Sequence, residues 1–176
     1  LLVEAGADVN SRSANGTTPL HAAVESGHLE LVSFLIDQHV DIRARNDHDY
    51  EPLHLAAGHG HVGVVRLLLE HNAVVDARTK HASTPLILAA ESTDKPDLLS
   101  LLIAQGADIH ARDNDDDDAL QCAVLGGHEN NVRFLLSAGS PPRTRNAQGL
   151  APIDRIGQSV NGPGDPKANE RVRQIL

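Results

Sequence analysis

Four prolines and one alanine recur along the chain at a nearly constant interval. Pro19, Pro52, Pro85, Ala119 and Pro152 are separated by 33, 33, 34 and 33 residues. Each opens a similar segment: Thr18-Pro19-Leu20-His21-Ala22-Ala23 returns as Glu51-Pro52-Leu53-His54-Leu55-Ala56-Ala57 and again as Thr84-Pro85-Leu86-Ile87-Leu88-Ala89-Ala90. Self-similarity at such a period is the mark of a stacked array, in which each unit buries its apolar side only against its neighbours. The composition agrees: hydrophobic residues make up 40% of the 176 residues, yet aromatics only 2%, with no Trp or Met. A thin core of Leu, Val, Ile and Ala suits a one-dimensional stack.

One repeat can be read as local physics. Thr18 is an N-cap whose hydroxyl accepts from a first-turn amide. Pro19 follows at the first helical position, where its missing N–H costs nothing. His21, at the third helical position, can bond back toward the cap. Gly27 suits the left-handed residue that ends a helix. A second helix is predicted through Leu31, Val32, Leu35 and Ile36, which recur at helical spacing. A polar extended stretch, Asp41 to Arg45, leads to the next unit.

The other copies vary the letters. In the fourth, Asp118-Ala119-Leu120-Gln121 keeps a good cap and a Gln able to close the capping box. In the second, Glu51 is a weaker cap, and in the third Ile87 removes the reciprocal bond. Pro96 restarts a helix after the extra residue within Glu91 to Asp97. The second helices end at Gly6, His39, Asn72, Gly106 and Gly139, where His39 takes positive φ least comfortably.

The T-P-L-H segment in a 33-residue frame resembles the ankyrin repeat family. The resemblance implies an all-α solenoid of helix–turn–helix units with projecting β-hairpin loops. It divides the chain into the end of a truncated repeat (1–12), full repeats at 13–45, 46–78, 79–112 and 113–145, and a diverged repeat at 146–176. The opening residues match the close of a repeat, so the expectation is a fragment of a longer array, with Leu20 and Leu31 facing absent neighbours. In the last unit the separation from Ile153 to Val172 is 19 residues, against 12 from Leu20 to Val32. The inter-helix loop is therefore enlarged, and the next helix is predicted to start at Asp165 and Pro166.

Formal net charge is -9, with only 15 Lys and Arg. That balance argues against a nucleic-acid binder, because phosphate neutralisation needs a basic surface. The apolar runs are too short to span a bilayer. The single cysteine, Cys122, has no internal disulfide partner and is expected as a buried small hydrophobe in an intracellular, monomeric chain.

Several features invite a functional reading. Arg12, Arg45, Arg78, Arg112 and Arg145 share one phase, and stacking would set neighbours roughly 10 Å apart. Two readings stand: a guanidinium row for an acidic partner, or a hairpin sequence common to the family. Electrostatics does not separate them, since two charges at that distance in water repel by only about 0.4 kcal/mol. Asp113 to Asp118 form an acidic run, read as a solvated turn or a contact for a basic partner. It lacks the Gly and Glu of a calcium loop. His21 and His54 belong to caps, while His28, His61 and His128 follow the inter-helix turn. His59 and His61 form a pair without a third metal ligand. Gly157 to Gly162 have P-loop glycine spacing, but Pro163-Gly164 stand where Lys and Ser or Thr are required. No nucleophile motif is present, and neither catalysis nor a cofactor is expected.

Tyr50, the only tyrosine, is expected to be exposed on the second hairpin, and tyrosine is enriched among binding hot spots. In the family the binding strip resembles hairpin tips plus the ends of first helices. Carried over by phase, it holds Thr17, Glu25, Ser26, Asp47, His48, Tyr50, Gly58, His59, Lys80, His81, Ser83, Glu91, Ser92, Asn114, Asp115, Asp117 and Leu125, with Arg45, Arg78, Arg112 and Arg145 beside it. The resemblance thus implies a non-catalytic protein-binding scaffold or, as an alternative, a targeting domain within a larger enzyme or signalling protein. It also marks Asn10, in Asp8-Val9-Asn10, as similar to segments modified by an asparaginyl hydroxylase; a structural hairpin Asn is the competing reading.

Overall fold

The computed structural model describes residues 8–158 and 165–176. The helix end expected at Gly6 and most of the enlarged loop, 159–164, lie outside the described residues. Four helix pairs follow in order: α1 (Pro19–Glu25) with α2 (Leu29–Asp37), α3 (Pro52–Gly58) with α4 (Val62–Glu70), α5 (Pro85–Ser92) with α6 (Pro96–Ala104), and α7 (Ala119–Gly126) with α8 (Glu129–Ser137). A 3-10 turn at Pro152–Arg155 and α9 (Pro166–Ile175) complete the described chain. The first helices pack α1 on α3 on α5 on α7, and the 3-10 turn extends this row. In the second row α2 packs on α4, α6 on α8 and α8 on α9.

The caps explain why each first helix starts where it does. The Thr18 N–H donates to His21 Nδ1 at 3.2 Å, and the His21 N–H donates to Thr18 Oγ1 at 3.4 Å. Asp118 and Gln121 reproduce the same reciprocal pair at 3.2 and 3.0 Å. In the third unit Thr84 accepts from the Ile87 N–H, with no return bond from the isoleucine side chain. Asp165 accepts from the Lys167 N–H and starts α9. His39 and Asn72 end α2 and α4 at φ 57° and 64°, where the corresponding Gly106 and Gly139 sit at 95° and 100°.

The core follows the repeat. Leu20, Leu53, Leu86 and Leu120 are fully buried, as are Val32, Val65, Leu99 and Val132 one helix later. Each such side chain contributes roughly 1.5–3 kcal/mol relative to exposure. The expectation for Leu20 is corrected here: it lies inside the core cluster rather than on an open face. Leu31 does remain 46% exposed, with Leu29 and Phe34 beside it on α2. Gly126 permits a close approach of α7 to α5, since a Cβ there would meet the Glu91 carbonyl oxygen at 2.5 Å.

Between units, each loop folds back as a short hairpin. Its closing bond runs from the N–H of Ser13, Asn46, Thr79, Asp113 and Asn146 to the carbonyl four residues later. Neighbouring hairpins are then joined edge to edge: Asp47 N–H to Asn15 O, Lys80 to His48, Asn114 to His81, and Ala147 to Asp115. Backbone groups projecting from the helical layers are thereby paired. Among the described residues the β character is limited to one isolated bridge, Arg112 with Asp118.

Candidate functional site

Two histidines fix the hairpins to the first helices and, through them, shape the face that carries the hairpin tips. In His54, Nδ1 accepts the Glu51 N–H at 3.0 Å, so Nε2 carries the proton and donates to the Ala77 carbonyl at 2.8 Å. His21 uses the same tautomer to reach the Tyr50 carbonyl at 3.0 Å. Burial disfavours the charged imidazole in both, and His54 is lowered to about 4 from 6.5. The cap histidines of the sequence are thus also inter-repeat bolts. A second set sits at the helix–turn–helix corners, where His61 Nε2 reaches Glu25 O at 3.0 Å and His128 Nε2 reaches Glu91 O at 2.8 Å. Lys95 takes that role in the third unit, donating to Gly60 O at 2.9 Å.

These bolts position Tyr50, and the expectation of an exposed side chain is corrected. The side chain is half-buried, edge-on to His54 with ring centroids 5.8 Å apart. Burial raises its phenol pKa, and the nearby charge of Glu91 adds to the shift. The ring forms one wall of a groove of about 360 Å³ between the second and third units. Leu55 and Gly58 line it from α3, Leu88 and Ser92 from α5, and His59 stands at its edge. His59 is exposed and stacks on His61 at 5.9 Å.

The arginine ladder has a definite use inside the stack. Arg12 donates to the Arg45 carbonyl at 2.6 Å, Arg78 to that of Arg112 at 2.7 Å, and Arg112 to that of Arg145 at 3.2 Å. Each guanidinium links its own hairpin to the next unit's ladder residue, which a search for local motifs does not show. Arg45 departs from the series and pairs with the buried Glu51 at 3.1 Å. Arg145 returns to Gly149 O of its own hairpin.

The acidic run divides in two. Asn114, Asp115 and Asp116 are exposed at the tip, as a solvated turn would be. Asp117 and Asp118 are 5% and 3% exposed, which removes Asp117 from the accessible strip. The reason is Arg155, whose Nη1 lies 2.9 and 2.7 Å from the two carboxylate oxygens of Asp117, with Asn146 Nδ2 a second donor at 2.9 Å. Sequence phase gave no sign of this pair, because Arg155 belongs to the diverged last unit. Asp113 accepts the N–H groups of Asp115 and Asp117 at 2.9 and 3.0 Å.

Ligand atoms of Asp113, Asp117 and Cys122 all lie within 4.8 Å of one another. Arg155 already neutralises Asp117, and burial, reinforced by Glu91, Asp117 and Asp113, pushes the Cys122 thiol well above its usual range. A salt-bridged carboxylate beside a protonated thiol is a poor ligand set for a cation.

Asp47, His48, Lys80 and His81 are exposed on adjoining hairpin tips, next to Tyr50 in sequence or in the hairpin stitching. Glu91 is half-buried on α5. Asn10 is exposed, and its Oδ1 accepts the Asp41 N–H at 3.3 Å, which gives the side chain a structural hairpin contact.

Helix pairs stacked in register, with stitched hairpins beside a groove, define a repeat solenoid of the interaction type. A family model for ankyrin repeats, in three copies, matches residues 1–79 and 74–146. The chain belongs to the ankyrin repeat family, whose members generally serve as protein–protein interaction modules. No curated protein matches the chain. Among the described residues no helix is long and apolar enough to cross a membrane.

Proposed function

We propose that this chain is a non-catalytic scaffold that binds a protein segment along the hairpin tips and the groove beside Tyr50. The observation that carries the reading is the groove itself. A half-buried tyrosine, two leucines and a surface histidine line an open cleft that the solenoid does not fill. An aromatic ring held by neighbouring packing binds with little loss of side-chain entropy. Asp47, His48, Lys80, His81, Asn114 and Asp115 supply a polar rim, as interfaces of this kind require. The ladder arginines act in this reading chiefly as hairpin links, since Nη1 of Arg12, Arg78, Arg112 and Arg145 already reaches a carbonyl and Arg45 pairs with Glu51. Acidic net charge disfavours nucleic acid as the ligand.

The test is capture of partners from extract of the source cells by the intact chain, compared across two variant sets. Tyr50→Ala with His59→Ala should lose the specific partner. Arg66→Ala with Glu70→Ala, on the opposite row of helices, should retain it. Loss in the second set alone would place binding elsewhere and remove the groove from the proposal.

A further inference from the structure

The carboxylates near the hairpins and first helices are not equivalent. Asp117 is matched by Arg155 and Asn146, Asp113 by two backbone amides, and Asp118 by the Gln121 N–H. Glu51 is paired with Arg45. Glu91 differs: among the described residues no hydrogen bond or ion pair reaches its carboxylate, although the residue is half-buried. Its main chain is fixed, because the Glu91 carbonyl accepts from His128 Nε2 and faces Gly126. Its position on α5 follows Leu88 by three residues and precedes Ser92 by one, and both of these line the groove. Residues three apart are neighbours on a helix surface, so Glu91 sits beside Leu88 at the margin of the cleft, near enough to Tyr50 for its charge to act on the phenol.

We propose that the groove takes a lysine or arginine side chain from an extended segment of the partner protein, with Glu91 as its counter-ion. This rests on the protein-binding reading and deepens it. The aliphatic stem of such a side chain matches Leu55 and Leu88 in the groove, and its charged head has two complementary features close by. One is the Glu91 carboxylate, and the other is the Tyr50 ring, since aromatic faces attract cations. The surrounding charge has the required sign. Burial raises the Glu91 pKa, the charges of Asp113 and Asp117 add to it, and Arg155 and His128 only partly offset the rise. Lys80 is the exposed cation on the neighbouring tip, while Asp47, Asp115 and Asp116 are exposed anions along the same row. A cation entering this site gains a hydrogen-bonded partner without displacing an existing one. An acidic or purely apolar side chain would instead leave the half-buried carboxylate uncompensated.

The experiment presents the immobilised full chain with blocked nonapeptide pools of random sequence. Each pool has lysine, arginine, acetyl-lysine, glutamate or leucine fixed at its centre. The lysine or arginine pool should be retained above the glutamate and leucine pools. Acetylation, which removes the charge without altering this protein, should lower retention of the lysine pool. Glu91→Gln should lower retention of the basic pools at least about tenfold while melting no earlier than the parent. Retention of no pool, preference for glutamate or leucine, indifference to acetylation where the lysine pool is the one retained, or unchanged binding by a folded Glu91→Gln variant would overturn the proposal. If Tyr50→Ala abolishes retention and Glu91→Gln spares it, the groove survives as a protein site and only the cation subsite falls. Retention that ignores both substitutions removes both readings.

Discussion

Arg155 reaches back 38 residues and places Nη1 at 2.7 Å from Asp117 Oδ2 in a pair almost closed to solvent, at 12% and 7% side-chain exposure. It ties the diverged last unit to the tip of the fourth hairpin. Removing one partner leaves a buried charge uncompensated. Arg155→Ala is expected to cost about 3–5 kcal/mol, measured by chemical denaturation. Adding Asp117→Asn should recover part of the loss, giving a double variant less destabilised than the sum of the singles.

The ladder leads to a smaller effect. Arg78 donates to Ala82 O at 3.0 Å and to Arg112 O at 2.7 Å, but the side chain is exposed. Arg78→Ala should lower stability by about 1 kcal/mol and speed amide exchange in the hairpin at 79–83. An unchanged exchange rate would mean that the guanidinium does not hold the hairpin.

His54 gives a pH dependence whose sign is fixed by its environment. The folded-state value of about 4 lies below the ordinary 6.5 because burial disfavours the imidazolium. Between those values the unfolded chain binds a proton that the folded chain does not. Stability from this group is present above pH 6.5 and is lost on acidification toward 4, by up to about 3 kcal/mol. His21 acts in the same direction. Glu51, Glu91 and Asp118 act oppositely, since burial raises their carboxyl pKa values and acidification relieves that cost. His54→Gln isolates the imidazole, because Gln121 already makes the same cap bond in the fourth unit and an inter-repeat bond to Leu150 O at 3.0 Å, as His21 does to Tyr50 O. The variant should fold at neutral pH and show a flatter fall in stability from pH 6.5 to 4 than the parent.

Gly126 offers a packing test. A methyl group there meets the Glu91 carbonyl oxygen at 2.5 Å, and that backbone cannot rotate away as a side chain would. Gly126→Ala is expected to cost about 1–3 kcal/mol through displacement of α7 from α5, read as a lowered Tm. Raising helix propensity at the same position works against this cost and sets its lower bound.

Much of the fold was legible because its signals are local and repeat. Thr18, Asp118 and Pro96 act through the next few residues, so their chemistry can be read along the chain. Gln121 replaced His21 without loss for the same reason. The site was less legible because it depends on groups about one repeat apart or more. Phase placed Tyr50 beside Lys80 and Glu91, but not the ring against His54 or the groove behind it. The ladder was visible as a pattern, while its hydrogen bonds run to carbonyls that carry no sequence signal. Asp117 looked like one more tip carboxylate until Arg155, from the diverged unit that Pro152 opens, closed over it.

The most direct measurement is side-chain footprinting of the intact chain with and without a captured protein partner, read residue by residue by mass spectrometry. Protection should fall on Tyr50, His59 and Lys80, with Arg66 and Glu70 on the opposite row unchanged. Protection confined to that opposite row, with Tyr50 and His59 still fully reactive in the complex, would contradict binding through the groove.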